Sequence, residues 1–256
     1  MRRTLVIAAA AALALVGCSG EPADSKPATS STPTTPSTPT ESPTIENPSP
    51  ADAWVDAVAS TRGQVSVESQ LITNVEGFER ILAGVGFVDI DSEYGDIAWS
   101  DEFATTREIQ TADGHFLELD GTWFALDSET GVPTKVGFTP LEGLDSATNV
   151  TLVGDEEVVD TSATRFDADL DPSLGPLTMG FSGEELTVVN DATDASLVAT
   201  IWVDDEGRIV RILREYSASS PDGDPISATS LYLLSDFTDP TPIDVPETAD
   251  AIPAPA

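Results

Sequence analysis

Side chains able to do nucleophilic, acid–base or metal chemistry are few in this chain: one cysteine, Cys18, and one histidine, His115, against 45 aspartates and glutamates. A serine nucleophile needs a histidine beside it, and the string nearest to a nucleophile elbow, GFSGE at 180–184, lacks the last glycine of Gly-x-Ser-x-Gly. His115 stands next to an Asp113-Gly114 turn cue and reads as a half-exposed strand histidine. One Cys and one His cannot build a zinc site. Asp167, Asp169 and Asp171 have the alternate spacing of a calcium loop. The sixth position, however, is Pro172 in place of glycine, and the twelfth is Thr178 in place of glutamate. Asp89, Asp91 and Glu93 fail in the same way, at Tyr94 and Ser100. Arg208, Arg211 and Arg214 fall on one strand-like segment, where an anionic head group or neighbouring carboxylates could use them. The pattern places Arg208 and Arg214 on a face with Val210 and Ile212, and Arg211 on the other with Ile209 and Leu213. No catalytic residue, metal ligand set or cofactor site can be named, and the chain reads as non-enzymatic.

Cys18 has the most informative surroundings. Arg2 and Arg3 precede an apolar run from Leu5 to Val16 that is short of the roughly 20 residues a bilayer span needs and has the parts of a secretory signal. The run ends in Leu15-Val16-Gly17-Cys18, which resembles the lipobox of bacterial lipoproteins. That resemblance implies removal of residues 1–17, diacylation of Cys18 and an extracytoplasmic, membrane-anchored protein. A lone thiol cannot staple the fold internally, so lipidation gives Cys18 a role that a disulfide cannot. Residues 18–50 are mostly Ser, Thr and Pro, with too little apolar surface to offset the entropy of ordering, and read as a disordered tether. Such a tether reaches roughly 30 Å as a coil and about 100 Å if polyproline-like.

The elements that must position everything else lie in residues 51–256, read as one domain. Four of the 45 acids and three of the 11 bases precede Ala51, leaving 41 against eight and a net charge of −33. That charge excludes nucleic acid as a partner and a polybasic hold on anionic lipid. Trp54 and Val58 have helical spacing over Ala51–Thr61, and Val65, Val67 and Leu71 then open a half-wet strand. Phe78, Ile81 and Leu82 have helical spacing, predicting a short helical or irregular crossing before a strand at Phe87–Ile90. Further strands are predicted at Asp96–Trp99 and Thr105–Thr111. His115–Leu119 and Thr122–Leu126 form a meander around the Asp113-Gly114 and Asp120-Gly121 turns. Thr139-Pro140-Leu141-Glu142 carries the signals of a helix start and predicts a short helix to about Ala147. Val150–Val153 and Val158–Val159 read as two strands around Gly154-Asp155, followed by Thr164–Ala168. Gly180–Asn190 is open between helix and strand. Ser196–Val203 and Arg208–Tyr216 flank a hairpin at 204–207, and Thr229–Phe237 is the last strand. Five prolines after Asp239 predict a tail along the surface. The sum is an α+β domain, a curved antiparallel sheet of nine to eleven strands with two or three short helices on one side.

Four strings, GHFLELDGTW (114–123), VGDEEVVDTSATRFDADLD (153–171), IWVDDEGRIVRI (201–212) and SDFTDP with VP (235–246), resemble in order and spacing the mycobacterial LppX/LprG-type lipoproteins, and more distantly the LolA/LolB carriers. The resemblance implies a strongly curved half-barrel with helices in its concavity and an apolar cavity that binds acyl lipid or lipidated molecules in the cell envelope. The stretch with Pro172, Gly175 and Pro176 departs from it, since a longer helix would be expected there. Val65, Val67, Leu71, Leu117, Leu119, Trp123, Ile201, Val210, Ile212, Leu231 and Leu233 are candidates to line either a cavity or a filled core. With a filled core, the alternative is an envelope protein-interaction module that meets a basic partner through its acidic face.

Overall fold

A computed structural model describes residues 48–126, 137–181 and 183–247, and the backbone of 251–253. Cys18, the signal segment and the tether lie outside the described residues. The helix expected after the tether is present as α1 (Pro50–Ser60), with Pro50 in its first turn and Ser49 as N-cap accepting a hydrogen bond from the Asp52 amide. Its buried face carries Trp54 and Ala57, and burial of an aromatic of this kind contributes about 2–3 kcal/mol. The Trp54 indole N–H donates to the Leu144 carbonyl at 2.8 Å, so the helix is oriented as well as buried.

The strands follow as β1 (Gln64–Val75), β2 (Phe78–Asp89), β3 (Tyr94–Ser100), β4 (Thr105–Thr111), β5 (Gly114–Leu119), β6 (Thr122–Leu126), β7 (Thr148–Val158) and β8 (Thr161–Leu170). Two short helices, α2 (Gly175–Thr178) and α3 (Glu184–Asn190), precede β9 (Thr193–Val203), β10 (Ile209–Ser219), β11 (Pro225–Thr238) and β12 (Ala251–Pro253). All belong to one sheet in the order β12-β6-β5-β4-β3-β2-β1-β11-β10-β9-β8-β7, whose ends do not meet. The sheet is two antiparallel meanders joined where β1 pairs with β11, and only β12 runs parallel to its neighbour. Trp99 of β3 and Phe166 of β8 are six strand steps apart, about 29 Å in a flat sheet at ~4.8 Å per step. Both nevertheless belong to one continuous core with Trp54, Phe138, Leu144 and Phe181, so the sheet curves around those groups. The expected α+β class, with a large open antiparallel sheet and short helices on its concave side, is what the chain forms.

Three sequence expectations need correction. Phe78, Ile81 and Leu82 belong to β2, because Glu76 and Gly77, both at positive φ, close a tight hairpin that returns the chain alongside β1. The helix predicted from Thr139 to Ala147 is reduced to turns and a single 3-10 turn at Leu144–Ser146. Gly143, at φ 78, breaks it, and the carbonyls of Pro140 and Glu142 turn away to accept from Arg214. The two short strands expected around Gly154 are one strand, β7, with register shifts that absorb Gly154; the turn comes later, at Val159-Asp160. The proline-rich tail has no regular structure over 239–247, as expected, and adds only the short edge strand β12, where a proline is tolerated. The region left open at 180–190 resolves as α3 from Glu184. The stretch after Asp171 makes only a 3-10 turn and the four-residue α2, as its prolines and glycine dictate.

Candidate functional site on the concave face of β3 to β6

Register places three rows of side chains across the concave face. One row is Ile97, Glu108, Leu117 and Phe124; a second is Gly95, Gln110, His115 and Leu126; the third is Trp99, Thr106, Leu119 and Thr122. Thr106, Glu108 and Gln110 of β4 therefore point inward. Glu108 is 4% exposed and accepts from the Trp99 indole N–H at 2.8 Å, while its other oxygen lies 3.3 Å from His115 Nε2. His115 also meets Phe138 edge-on, with ring centres 6.1 Å apart. The buried Gln110 Oε1 accepts no hydrogen bond from the protein among the described residues. Around this polar centre Leu117, Phe124 and Leu126 are only half-buried.

Glycines make room for the aromatic wall. A Cβ at Gly84 would stand 2.5 Å from the Trp99 ring and 2.6 Å from Ser69 Oγ, so the indole lies flat against the β2 backbone. Gly95 serves Phe138 in the same way, since a Cβ there would come within 2.9 Å of its ring.

The other half of the concavity is packed differently. Trp54, Leu144, Met179 and Phe181 are fully buried over β1 and β8 to β11, and Phe181 meets Tyr216 edge-on at 5.7 Å. The Glu185 carboxylate of α3 accepts from Thr73 and from Arg80, each at 2.8 Å, and Arg80 also donates to the Gly180 carbonyl. Arg214 is buried among these groups, donating to Pro140 O at 2.6 Å and Glu142 O at 2.9 Å. Burial pulls its guanidinium below the usual arginine value and pushes the Tyr232 hydroxyl, whose ring lies 5.8 Å away, up to about 12.

Of the residues singled out from sequence, Val65, Val67, Leu71, Ile201 and Ile212 line the concave core, and Leu117 and Leu119 line the open half. Val210, Leu231, Leu233 and Trp123 are on the convex side instead. In β11 it is Tyr232 and Leu234 that face inward, and a bulge in β10 sends Ile209 into the core and Val210 out. Arg208 pairs with Asp204 and Glu206, Arg211 lies over the Trp202 ring at 4.3 Å, and Arg214 binds carbonyls. The acidic runs do not converge. Asp167 pairs with Arg165, Asp169 accepts from Asn149, and Asp171 caps a 3-10 turn; Asp89 accepts from Ser92 and Asp91 from Gly63. Among the described residues no group of three or more His, Cys, Asp or Glu could hold a metal ion. Sequence reading missed Glu108 and Gln110. In TTREIQT both strand faces carry polar residues, and only pairing with Ile97 and Gly95 shows which face is inside.

No protein-family model and no curated protein matches the chain. Among solved structures it is similar to the Mycobacterium tuberculosis lipoprotein LppX, at 14% identity and TM-score 0.48, over 78% of this chain and all of that one. It is also similar to LprF from Mycobacterium bovis, at 12% identity and TM-score 0.46, over 78% of this chain and 98% of that one. A putative outer membrane lipoprotein-sorting protein domain from Vibrio parahaemolyticus is more distant, at 9% identity and TM-score 0.27, over 75% of this chain and 93% of that one.

Proposed function

We propose that this protein is a non-enzymatic envelope lipoprotein that binds acyl lipid or a lipidated molecule in the open half of its concave face. The observation that carries this reading is the unequal packing of that face. The half over β8 to β11 is filled by its own aromatic and aliphatic side chains, whereas Leu117, Phe124 and Leu126 remain half-buried around an inward-facing polar centre. Apolar walls with a few convergent polar groups are the makeup of small-molecule sites. Acyl chains would lie along the leucines and Phe124, and a hydroxyl of the head group would donate to Gln110 Oε1. The sequence before the domain supports the location: export, diacylation of Cys18 and a tether that holds the domain at the extracytoplasmic face of the membrane.

Native mass spectrometry of the full chain, purified from its own host in neutral detergent, tests the binding. Acyl-lipid adducts are expected, and Leu117→Trp, which narrows the open half, should cut their occupancy several-fold. A chain that carries no lipid and takes up no fluorescent fatty-acid probe would overturn the reading. For the anchor, Cys18→Ala should leave the membrane fraction or retain its uncleaved signal, and the wild-type N-terminal peptide should carry the mass of a diacylglycerol.

A further inference from the structure

The convex side holds a second feature, unrelated to the lipid reading. Two bulges lie side by side on the neighbouring strands β10 and β11. In β10 the extra residue is Val210; in β11 Asp236 and Phe237 stand opposite the single residue Val65. Adjacent bulges bend the strands and re-aim their side chains outward. The result is a groove of about 420 Å³ with Val158, Val159, Val210, Leu233 and Phe237 among its walls, a size within the range of ligand pockets.

Its rim is acidic. Glu68, Asp204, Asp205, Glu206 and Asp236 face a single base, Arg208. Arg208 is already engaged: it pairs with Asp204 at 2.7 Å and Glu206 at 2.8 Å, and its guanidinium lies 4.4 Å from the Phe237 ring centre. Glu68, Asp205 and Asp236 make no ion pair among the described residues. Three uncompensated carboxylates therefore surround an apolar floor.

Val159 is the odd residue at the lip. With Asp160 it forms the two-residue turn between β7 and β8, at φ 45 and 64. Such turns favour Asn-Gly, because a β-branched residue at positive φ is strained. Here a valine holds the position with 75% of its surface exposed. Strain of this kind persists only where the surrounding structure holds it, and it clusters at ligand clamps and other functional sites.

We infer that this groove docks an extended basic segment of a partner protein, seating an aliphatic side chain between Val159 and Phe237 and flanking cations on Glu68, Asp205 and Asp236. The sign of the rim selects a cationic protein segment and disfavours an anionic lipid surface.

The test is titration of the purified full chain with a seven-residue peptide alternating Lys and Leu, against matched peptides with Glu for Lys and with Ser for Leu. The Lys–Leu peptide should bind and the Glu peptide should not. Glu68→Gln with Asp236→Asn, which keeps a residue tolerant of positive φ at 236, should weaken binding at least tenfold. Val159→Asn should raise the melting temperature, since asparagine suits the turn, and still weaken binding at least fivefold. Equal affinity of wild type and both variants would make the binding a property of the general acidic surface and overturn the inference. So would equal binding of the Lys–Ser peptide, or a Val159→Asn variant that melts higher and binds unchanged.

Discussion

Tyr232 and Arg214 meet inside the core, both wholly removed from solvent, and their burial gives the protein an alkaline limit of its own. The Tyr232 hydroxyl is raised to about 12 in the fold and returns to its ordinary value near 10 on unfolding. A raised folded value means that the stabilisation is complete below pH 10 and is lost as pH climbs through 12, because the unfolded chain ionises first. Two units correspond to on the order of 2–3 kcal/mol. Melting curves of wild type and Tyr232→Phe should therefore differ in slope between pH 10 and 12, with the wild type falling faster. Parallel curves would show that Tyr232 does not ionise more easily when unfolded. Arg214→Ala removes the donor to two inward carbonyls and leaves a cavity, and should cost about 3 kcal/mol in denaturant unfolding at pH 7. At this scale little was legible in the sequence. An arginine among Ile212, Leu213 and Glu215 reads as a surface cation, since its partners are carbonyls 72 and 74 positions away.

At the scale of elements, hairpins were the legible part, because the turn residues announce themselves locally. The turns at Asp120-Gly121 and at 204–207 connect the strands expected of them. Errors arose where tertiary contacts decide. Thr139-Pro140-Leu141-Glu142 has every local mark of a helix start, yet the carbonyls of Pro140 and Glu142 are taken by Arg214 of a distant strand. Bulges were also invisible: a one-residue insertion reverses the faces of Ile209 and Val210 with no change in composition. Gly84 interrupts the helical spacing of Phe78, Ile81 and Leu82 in the sequence, but in the sheet it is the seat of Trp99. Gly84→Ala should thus cost about 1–3 kcal/mol by overpacking, and should shift the Trp99 emission as the indole lifts off β2 and its bond to Glu108 lengthens. An unchanged emission spectrum and melting temperature would show that the ring has other room.

For the whole molecule, charge is the dominant quantity, with a formal net of −34 at pH 7. Two effects of salt oppose each other. Screening weakens the ion pairs of Arg62, Arg80, Arg107, Arg165 and Arg208, several of them exposed, and each such pair is worth about 0–1 kcal/mol. Screening also relieves the mutual repulsion of 41 acids spread over one domain with eight bases, a cost of compactness that the unfolded chain largely escapes by expanding. The acids outnumber the bases about five to one, so most carboxylates have no cation to lose and the second effect wins. Raising NaCl from 20 to 500 mM shortens the screening length from about 20 Å to about 4 Å. It should therefore raise the melting temperature, at roughly 2–4 °C for each kcal/mol of relief in a domain of this size. A melting temperature that falls with salt would mean that the few arginine networks outweigh the repulsion of all the remaining acids. The same screening should weaken the Lys–Leu peptide at the convex groove while leaving uptake of an acyl probe on the concave face nearly unchanged. One salt series thus separates a surface that works by charge from an interior that works by apolar contact.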